Sequence, residues 1–215
     1  MALRVTVDPH EPDDRSLVLA AEVVQAGGVI VYPTETLYGI GSDALNPEAV
    51  GKVHMAKGRS PGKPMLVLVP DRESLFPLVR EIPRAAGALM EAFWPGPLTL
   101  VFPVSSRVPP ALVGTSASLG IRVPSSKLCL RLLRLAGTPL VSTSANPPGK
   151  PPLRSVDAMQ SLLAHGIDLF LDAGELPANK PSTVVDLSED PPRLIREGMI
   201  EVRALREVVA DLQWV

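Results

Sequence analysis

Three cations stand close together in the segment "AKGRSPGKP": Lys57, Arg59 and Lys63. Cations gathered at a helix end can hold a polyphosphate through side-chain contacts. The segment approaches the phosphate-loop pattern G-x-x-x-x-G-K-[ST], because Gly58 is followed by Gly62 and Lys63. It is one residue short, places Pro64 where a hydroxyl is needed and runs from helix to strand, so a Walker-type loop is excluded. The other reading of these cations is a solvated loop whose charge complements a helix C-terminus. In "GTSASLGIRVP", Arg122 sits inside an apolar strand pattern and Ser118 lies at its entrance. Arginine is seldom fully buried unless paired, so Arg122 either meets an internal carboxylate or receives an anionic ligand.

Three further segments carry hydroxyl, amide or guanidinium groups at the ends of predicted elements. "LVSTSANPPGK" runs from a strand into Ser144, Ala145 and Asn146. Small polar side chains at the C-terminal end of a strand suit a ligand crevice in an α/β fold. They also suit an Asx or Ser turn that satisfies its own backbone. In "KPSTVVDLSEDPPRLIREG", Ser182 opens one strand and Arg196 closes the next. "YPTETLYGIG" (32–41) packs Thr34, Glu35 and Thr36 beside two glycines, as either a turn or the lip of a binding site.

Other chemistries lack their residues. His10, His54 and His165 lie far apart without metal-ligand spacing, and His54 and His165 read as surface or packing residues. There is no G-x-S-x-G elbow, no Ser/His/Asp set and no G-x-G-x-x-G after a strand. The one cysteine, Cys129, excludes an internal disulfide and a cysteine zinc cage, and falls on the apolar side of a predicted helix. A net charge of −2 gives no global attraction for nucleic acid, so any anion site is local. The N-terminus has no signal-peptide apolar region and no run approaches transmembrane length, which predicts a cytoplasmic protein with no membrane contact.

These residues need a scaffold, and strand-like runs alternate with helical patterns. Strands are predicted over 3–7, 28–32, 64–69, 96–102, 119–123 and from 139 into the S-A-N loop, with three late strands in "IDLFLDAG", "STVVDL" and "PRLIRE". The run at 28–32 is apolar enough to be buried on both faces. Helices are predicted after Asp13 or Asp14 with Gly27 as the stop, from Asn46 to Gly58, around 72–80 and 83–93, over 125–137, after Ser155, and around 203–213. The 24 prolines are dispersed and read as stiffened loops on a folded body. The expected fold is α/β: a single-domain twisted mixed β-sheet flanked by helices, with one unit over 1–215, a core of about 12–202 and no second domain.

"YPTETLYGIG", "AVGKVHMAKGR", "KPMLVLV", "FWPGPLT", "IRVP", "TSAN", "STVVD" and "LIREG" occur in the order found in the YrdC-type threonylcarbamoyl-AMP synthase family, which the chain therefore resembles over about 16–200. The resemblance implies a YrdC/RibB-like fold in its short, single-domain form. It implies the reaction of L-threonine, bicarbonate and ATP to threonylcarbamoyl-AMP, pyrophosphate and water. That product supplies N6-threonylcarbamoylation of adenosine 37 in ANN-decoding tRNAs through a threonylcarbamoyl transferase machinery. It further implies ATP as a substrate with Mg²⁺, no organic cofactor and no covalent nucleophile, with positioning by Lys57 and Arg59. No protein ligand for the metal is assigned. Carried over by position, Thr34, Thr36, Arg122, Ser144 and Ser182 face threonine. Lys57, Arg59, Lys63, Ser118, Asn146, Arg154 and Arg196 face the nucleotide. Lys63 and Leu68 depart from the longer homologues, which carry Asn and His there; Leu68 cannot hydrogen-bond threonine. Arg154 stands where a neutral nucleotide contact is usual and either replaces it with a charged one or points outward; Glu35 reads as structural, with pairing to a basic-loop cation or a place near the metal as the other readings. The alternative is an RNA-binding module for tRNA or double-stranded RNA on the same fold, without turnover; a weak tRNA contact is compatible with either.

Overall fold

The computed structural model describes residues 2–58, 64–163, 166–177 and 179–214. In chain order the strands are β1 (Leu3–Thr6), β2 (Ile30–Pro33), β3 (Tyr38–Gly41), β4 (Val67–Leu68), β5 (Leu98–Pro103), β6 (Ser118–Arg122), β7 (Leu140–Val141), β8 (Thr143–Ser144), β9 (Leu169–Asp172), β10 (Thr183–Asp186), β11 (Arg193–Arg196) and β12 (Gln213–Trp214). The helices are α1 (Asp14–Gln25), α2 (Pro47–Lys57), α3 (Arg84–Phe93), α4 (Pro110–Val113), α5 (Lys127–Ala136), α6 (Val156–Leu162) and α7 (Val202–Val208).

The predicted punctuation explains the helix ends. Asp13 caps α1 by accepting from Ser16 N at 2.8 Å, and Gly27 follows with φ +73°. Asn46 caps α2 by accepting from Glu48 N and Ala49 N, Pro47 opens it, and left-handed Gly58 closes it. Ser155 caps α6. The helix expected around 72–80 is only a 3₁₀ turn, Glu73–Leu75, because Pro77 cannot continue it. The late helix stops at Val208, and β12 pairs parallel with β11 beyond it.

The α/β class and the mixed strand directions are as expected, but the strands divide between two sheets. One has the order β1-β9-β2-β3-β8 and the other β12-β11-β10-β5-β6-β4-β7. Each contains parallel and antiparallel pairs. The strand read from 139 into the S-A-N loop is really β7 and β8, broken at Ser142. β7 pairs with β4 in one sheet and β8 with β3 in the other, so this short stretch joins the two. "YPTETLYGIG" is likewise a hairpin: β2 and β3 are antiparallel, and 34–37 form its tip.

Alternation along β2 assigns its faces. Val29 and Val31 enter the larger core with residues of β3, β5 and β6. Ile30 and Tyr32 pack with α1 and α5 through Leu17, Val24, Leu128 and Leu132. The strand is buried on both faces, as its apolar run predicted. The two glycines of β3 make room for neighbours rather than for a turn. A Cβ on Gly41 would stand 2.6 Å from Val141 O and 2.7 Å from the Tyr32 ring. Cys129 is fully buried beside Pro33 O, and burial pushes its thiol up to about 12, so it stays protonated and is not a nucleophile. No described helix is long and apolar enough to cross a membrane.

Candidate functional site

A cavity of about 480 Å³ is lined by both sheets. That volume lies within the range of small-molecule pockets. Its walls bring together nine of the residues singled out in the sequence: Thr34, Thr36, Lys57, Ser118, Arg122, Ser144, Asn146, Ser182 and Arg196. These span more than 160 positions in sequence, so only the folded chain makes them neighbours.

The hairpin tip presents the threonines. Thr34 Oγ1 donates to Leu37 O at 2.7 Å and accepts from the backbone N–H groups of Thr36 and Leu37. Its single hydroxyl proton is thereby used, so in the 2.9 Å contact between the two hydroxyls Thr36 is the donor. The lone pairs of Thr36 then remain for a donor in the cavity. The turn reading and the lip reading of this segment both hold: Thr34 makes the turn and Thr36 is buried at the cavity wall.

Lys57, the last residue of α2, is buried. Its ammonium donates to Ser144 O, to Ser144 Oγ at 3.1 Å and to Asn146 Oδ1 at 3.5 Å. Asn146 Nδ2 turns the other way, to Pro147 O and to Lys150 O at 2.6 Å. The S-A-N segment is therefore held by its own turn and by a cation from a helix 87 to 89 residues away in sequence. Lys57 shapes this wall as well as charging it.

Arg122, at the end of β6, is 3% exposed. Its Nη1 donates to Glu35 Oε1 at 2.5 Å, which answers the alternative left open by the sequence: the arginine has an internal carboxylate. Glu35 comes from the hairpin tip. Its Oε1 also accepts from Ser125 N, and its backbone oxygen accepts from Asn179 Nδ2. The pairing is single-point. Glu35 Oε2 and Arg122 Nε are both buried with no hydrogen-bond partner.

The fourth group is built from the late strands. Arg196 donates from Nε and Nη2 to Ser182 O at 3.2 and 2.9 Å, and from Nη2 to Ser182 Oγ at 3.4 Å. Ser182 Oγ lies 2.9 Å from Thr99 Oγ1 of β5. Arg196 reaches the cavity from an exposed strand position. Desolvation, followed by repulsion from Arg122, lowers its guanidinium below the usual arginine value. Among the described residues the cavity therefore holds two guanidiniums close enough to repel, of which Arg122 is paired with a carboxylate. Thr183 locks this wall: its hydroxyl donates to Ile200 O and accepts from Gly198 N and Ile200 N. Gly198 crosses so close over Pro181 and Ser182 that a Cβ there would collide with their backbone, the contact to Ser182 C being 2.6 Å. Gly198→Ala should displace Ser182 and Arg196 together, destabilising the chain by about 1–3 kcal/mol. A thermal melt showing wild-type stability would contradict that.

Other predicted residues fall elsewhere. Arg154 is not among the cavity-lining residues: it pairs with Glu175 at 3.2 Å and donates from Nε to Leu176 O at 2.8 Å. Arg59, Lys63 and His165 lie outside the described residues. Leu68 is fully buried in the cluster with Tyr32 and Cys129, so the apolar side chain has an apolar place. His54 is a packing residue, its Nε2 3.3 Å from Ala111 O. Sequence reading missed Thr99, Ser142 and Lys150, all on the cavity wall. Thr99 left a faint signal, a lone hydroxyl in the apolar run "LTLVF". Among the described residues no group of three His, Cys, Asp or Glu could hold a metal ion. The carboxylate nearest the arginines, Glu35, is already engaged. Among the described residues the donor set does not fit a protein-held Mg²⁺.

Comparison with known proteins places this arrangement. The Sua5_yciO_yrdC family profile, described as "Telomere recombination", matches residues 22–198. The threonylcarbamoyl-AMP synthase of Pyrococcus abyssi (strain GE5 / Orsay) is 36% identical over 195 residues, which is 91% of this chain and 57% of that protein. The threonylcarbamoyl-AMP synthase of Coxiella burnetii (strain RSA 493 / Nine Mile phase I) is 34% identical over 167 residues, 78% of this chain and 90% of that protein. The crystal structure of P. abyssi Sua5 complexed with L-threonine matches with a TM-score of 0.92 at 33% identity, covering 100% of this chain and 62% of that one. The chain thus spans less than two thirds of the P. abyssi protein but 90% of the length of the shorter C. burnetii protein. With a family profile covering most of its length and relatives more than 30% identical, this chain belongs to the Sua5/YciO/YrdC family.

Proposed function

We propose that the protein is an L-threonylcarbamoyladenylate synthase, a nucleotidyltransferase. The observation that carries this is a single cavity in which hydroxyl and amide groups from both sheets stand beside Lys57, Arg122 and Arg196. The family's named relatives and the threonine complex of P. abyssi Sua5 support the same reading. The residues 12–202 form the working unit.

The chemistry suits the side chains. The threonine amine attacks bicarbonate carbon, and loss of water leaves a carbamate. A carbamate oxygen then attacks the α-phosphorus of ATP, and pyrophosphate departs. Such a transfer needs positioning and charge neutralisation rather than a protein nucleophile. Arg122 receives the threonine carboxylate, while Thr36, Ser144 and Ser182 orient the amino acid. Lys57, Ser118, Asn146 and Arg196 face the nucleotide, with Arg59 and Lys63 on the phosphates. Mg²⁺ arrives as MgATP, ligated by phosphate oxygens and water, which is how this ion usually binds nucleotide sites. Bicarbonate is the third substrate, and the cytoplasmic threonylcarbamoyl transferase machinery consumes the adenylate on its way to tRNA.

The test incubates the protein with MgATP, bicarbonate and labelled threonine. Threonine-dependent pyrophosphate release together with a labelled adenylate is expected. Retention of RNA with no turnover would instead establish the RNA-binding alternative.

A further inference from the structure

Glu35 is a charged group of this region that the proposed chemistry leaves unused, and its placement is specific. It does not line the cavity; Arg122 does. It touches Arg122 through one oxygen and one nitrogen only, at 2.5 Å, while Glu35 Oε2 and Arg122 Nε stay buried without partners. A pair arranged for strength alone would be bidentate. Besides Arg122, the carboxylate is held by Ser125 N, and the Glu35 backbone is anchored by Asn179 Nδ2 on its carbonyl oxygen within the hairpin tip made by Thr34. Across the same cavity Arg196 has Ser182 for its partner and no carboxylate.

Among the described residues two guanidiniums face the cavity, and two anions, an amino-acid carboxylate and a polyphosphate, must tell them apart. A guanidinium already paired with a carboxylate exerts a weaker field than an unpaired one. The highly charged ligand therefore gains more at the unpaired guanidinium, and the monoanion loses least at the paired one.

Resting on the threonine–ATP reading above, we infer that Glu35 is a positioning and sorting residue: by partly neutralising Arg122 and fixing its side chain, it reserves that end of the cavity for a carboxylate and keeps polyphosphate out.

The test is calorimetric titration of L-threonine into the full chain, with and without saturating inorganic tripolyphosphate. In the wild type, tripolyphosphate should leave threonine affinity unchanged. In Glu35→Gln, threonine affinity should fall about tenfold and tripolyphosphate should become a competitor. A purely structural carboxylate would weaken binding of both ligands without creating competition between them. Wild-type threonine affinity in Glu35→Gln, or no competition, overturns the inference. A wild-type protein that binds no threonine overturns the functional reading along with it, so the two failures are distinguishable. Should Glu35→Gln not fold, Glu35→Asp decides: its shorter reach should admit partial competition, and wild-type behaviour would overturn the inference.

Discussion

Arg122→Ala should cost threonine affinity about a hundredfold or more while changing ATP affinity far less, because a buried, hydrogen-bonded charge contact is worth several kcal/mol. The substitution also strands Glu35, whose carboxylate then has only Ser125 N to face. Breaking a buried ion pair by removing one partner typically costs about 3–5 kcal/mol of stability. Stability and binding can be separated. The double substitution Glu35→Gln with Arg122→Ala removes the stranded charge, so it should melt higher than Arg122→Ala alone. It should still fail to bind threonine. Calorimetric titration of each ligand, paired with thermal melts, reads both effects. Equal losses of threonine and ATP binding in a folded Arg122→Ala protein would refute the assigned role.

Lys57→Met should have the next largest effect, on the nucleotide side. Ser144 O, Ser144 Oγ and Asn146 Oδ1 all accept from the Lys57 ammonium. A buried acceptor left unsatisfied costs about 1–3 kcal/mol, so the S-A-N wall should relax and the KM for ATP rise about 10- to 100-fold. Threonine, which the proposed function assigns to the Arg122 end, should show the smaller change. Lys57→Arg should not rescue, since a planar fork cannot reproduce the three-way reach of an ammonium into a space this closed. Steady-state pyrophosphate release at varied ATP and threonine measures the split; an unchanged ATP KM would contradict the arrangement.

Much of this was legible before folding because it is local. Asp13, Asn46 and Ser155 announced helix starts, and Gly27 and Gly58 announced stops, since caps and left-handed turns are decided by residues within one turn of the helix. The apolar run of β2 declared a strand buried on both faces. Ser144, Ser182 and Arg196 stood at element ends, where either a ligand crevice or a self-satisfied turn was legible, and the absence of a triad or metal spacing narrowed the chemistry. Local patterns also misled where one residue broke them: Pro77 reduced a predicted helix to a 3₁₀ turn.

Other features depended on contacts between distant segments. Residue types alone could not say that the strand after residue 139 changes sheets at Ser142, because strand pairing is chosen by partners far away in sequence. They could not give Arg122 its carboxylate, since Glu35 lies 87 positions earlier and meets it only when the β2–β3 hairpin folds against β6. Nor could they assign Lys57 to the S-A-N wall, bring Thr99 to Ser182, or turn Arg154 away to Glu175. Residue types alone identified the groups present and the ends of the capped helices. Only the tertiary structure decided which charges met, because an ion pair or a cavity wall depends on distance in space, and closure of the two sheets fixes those distances.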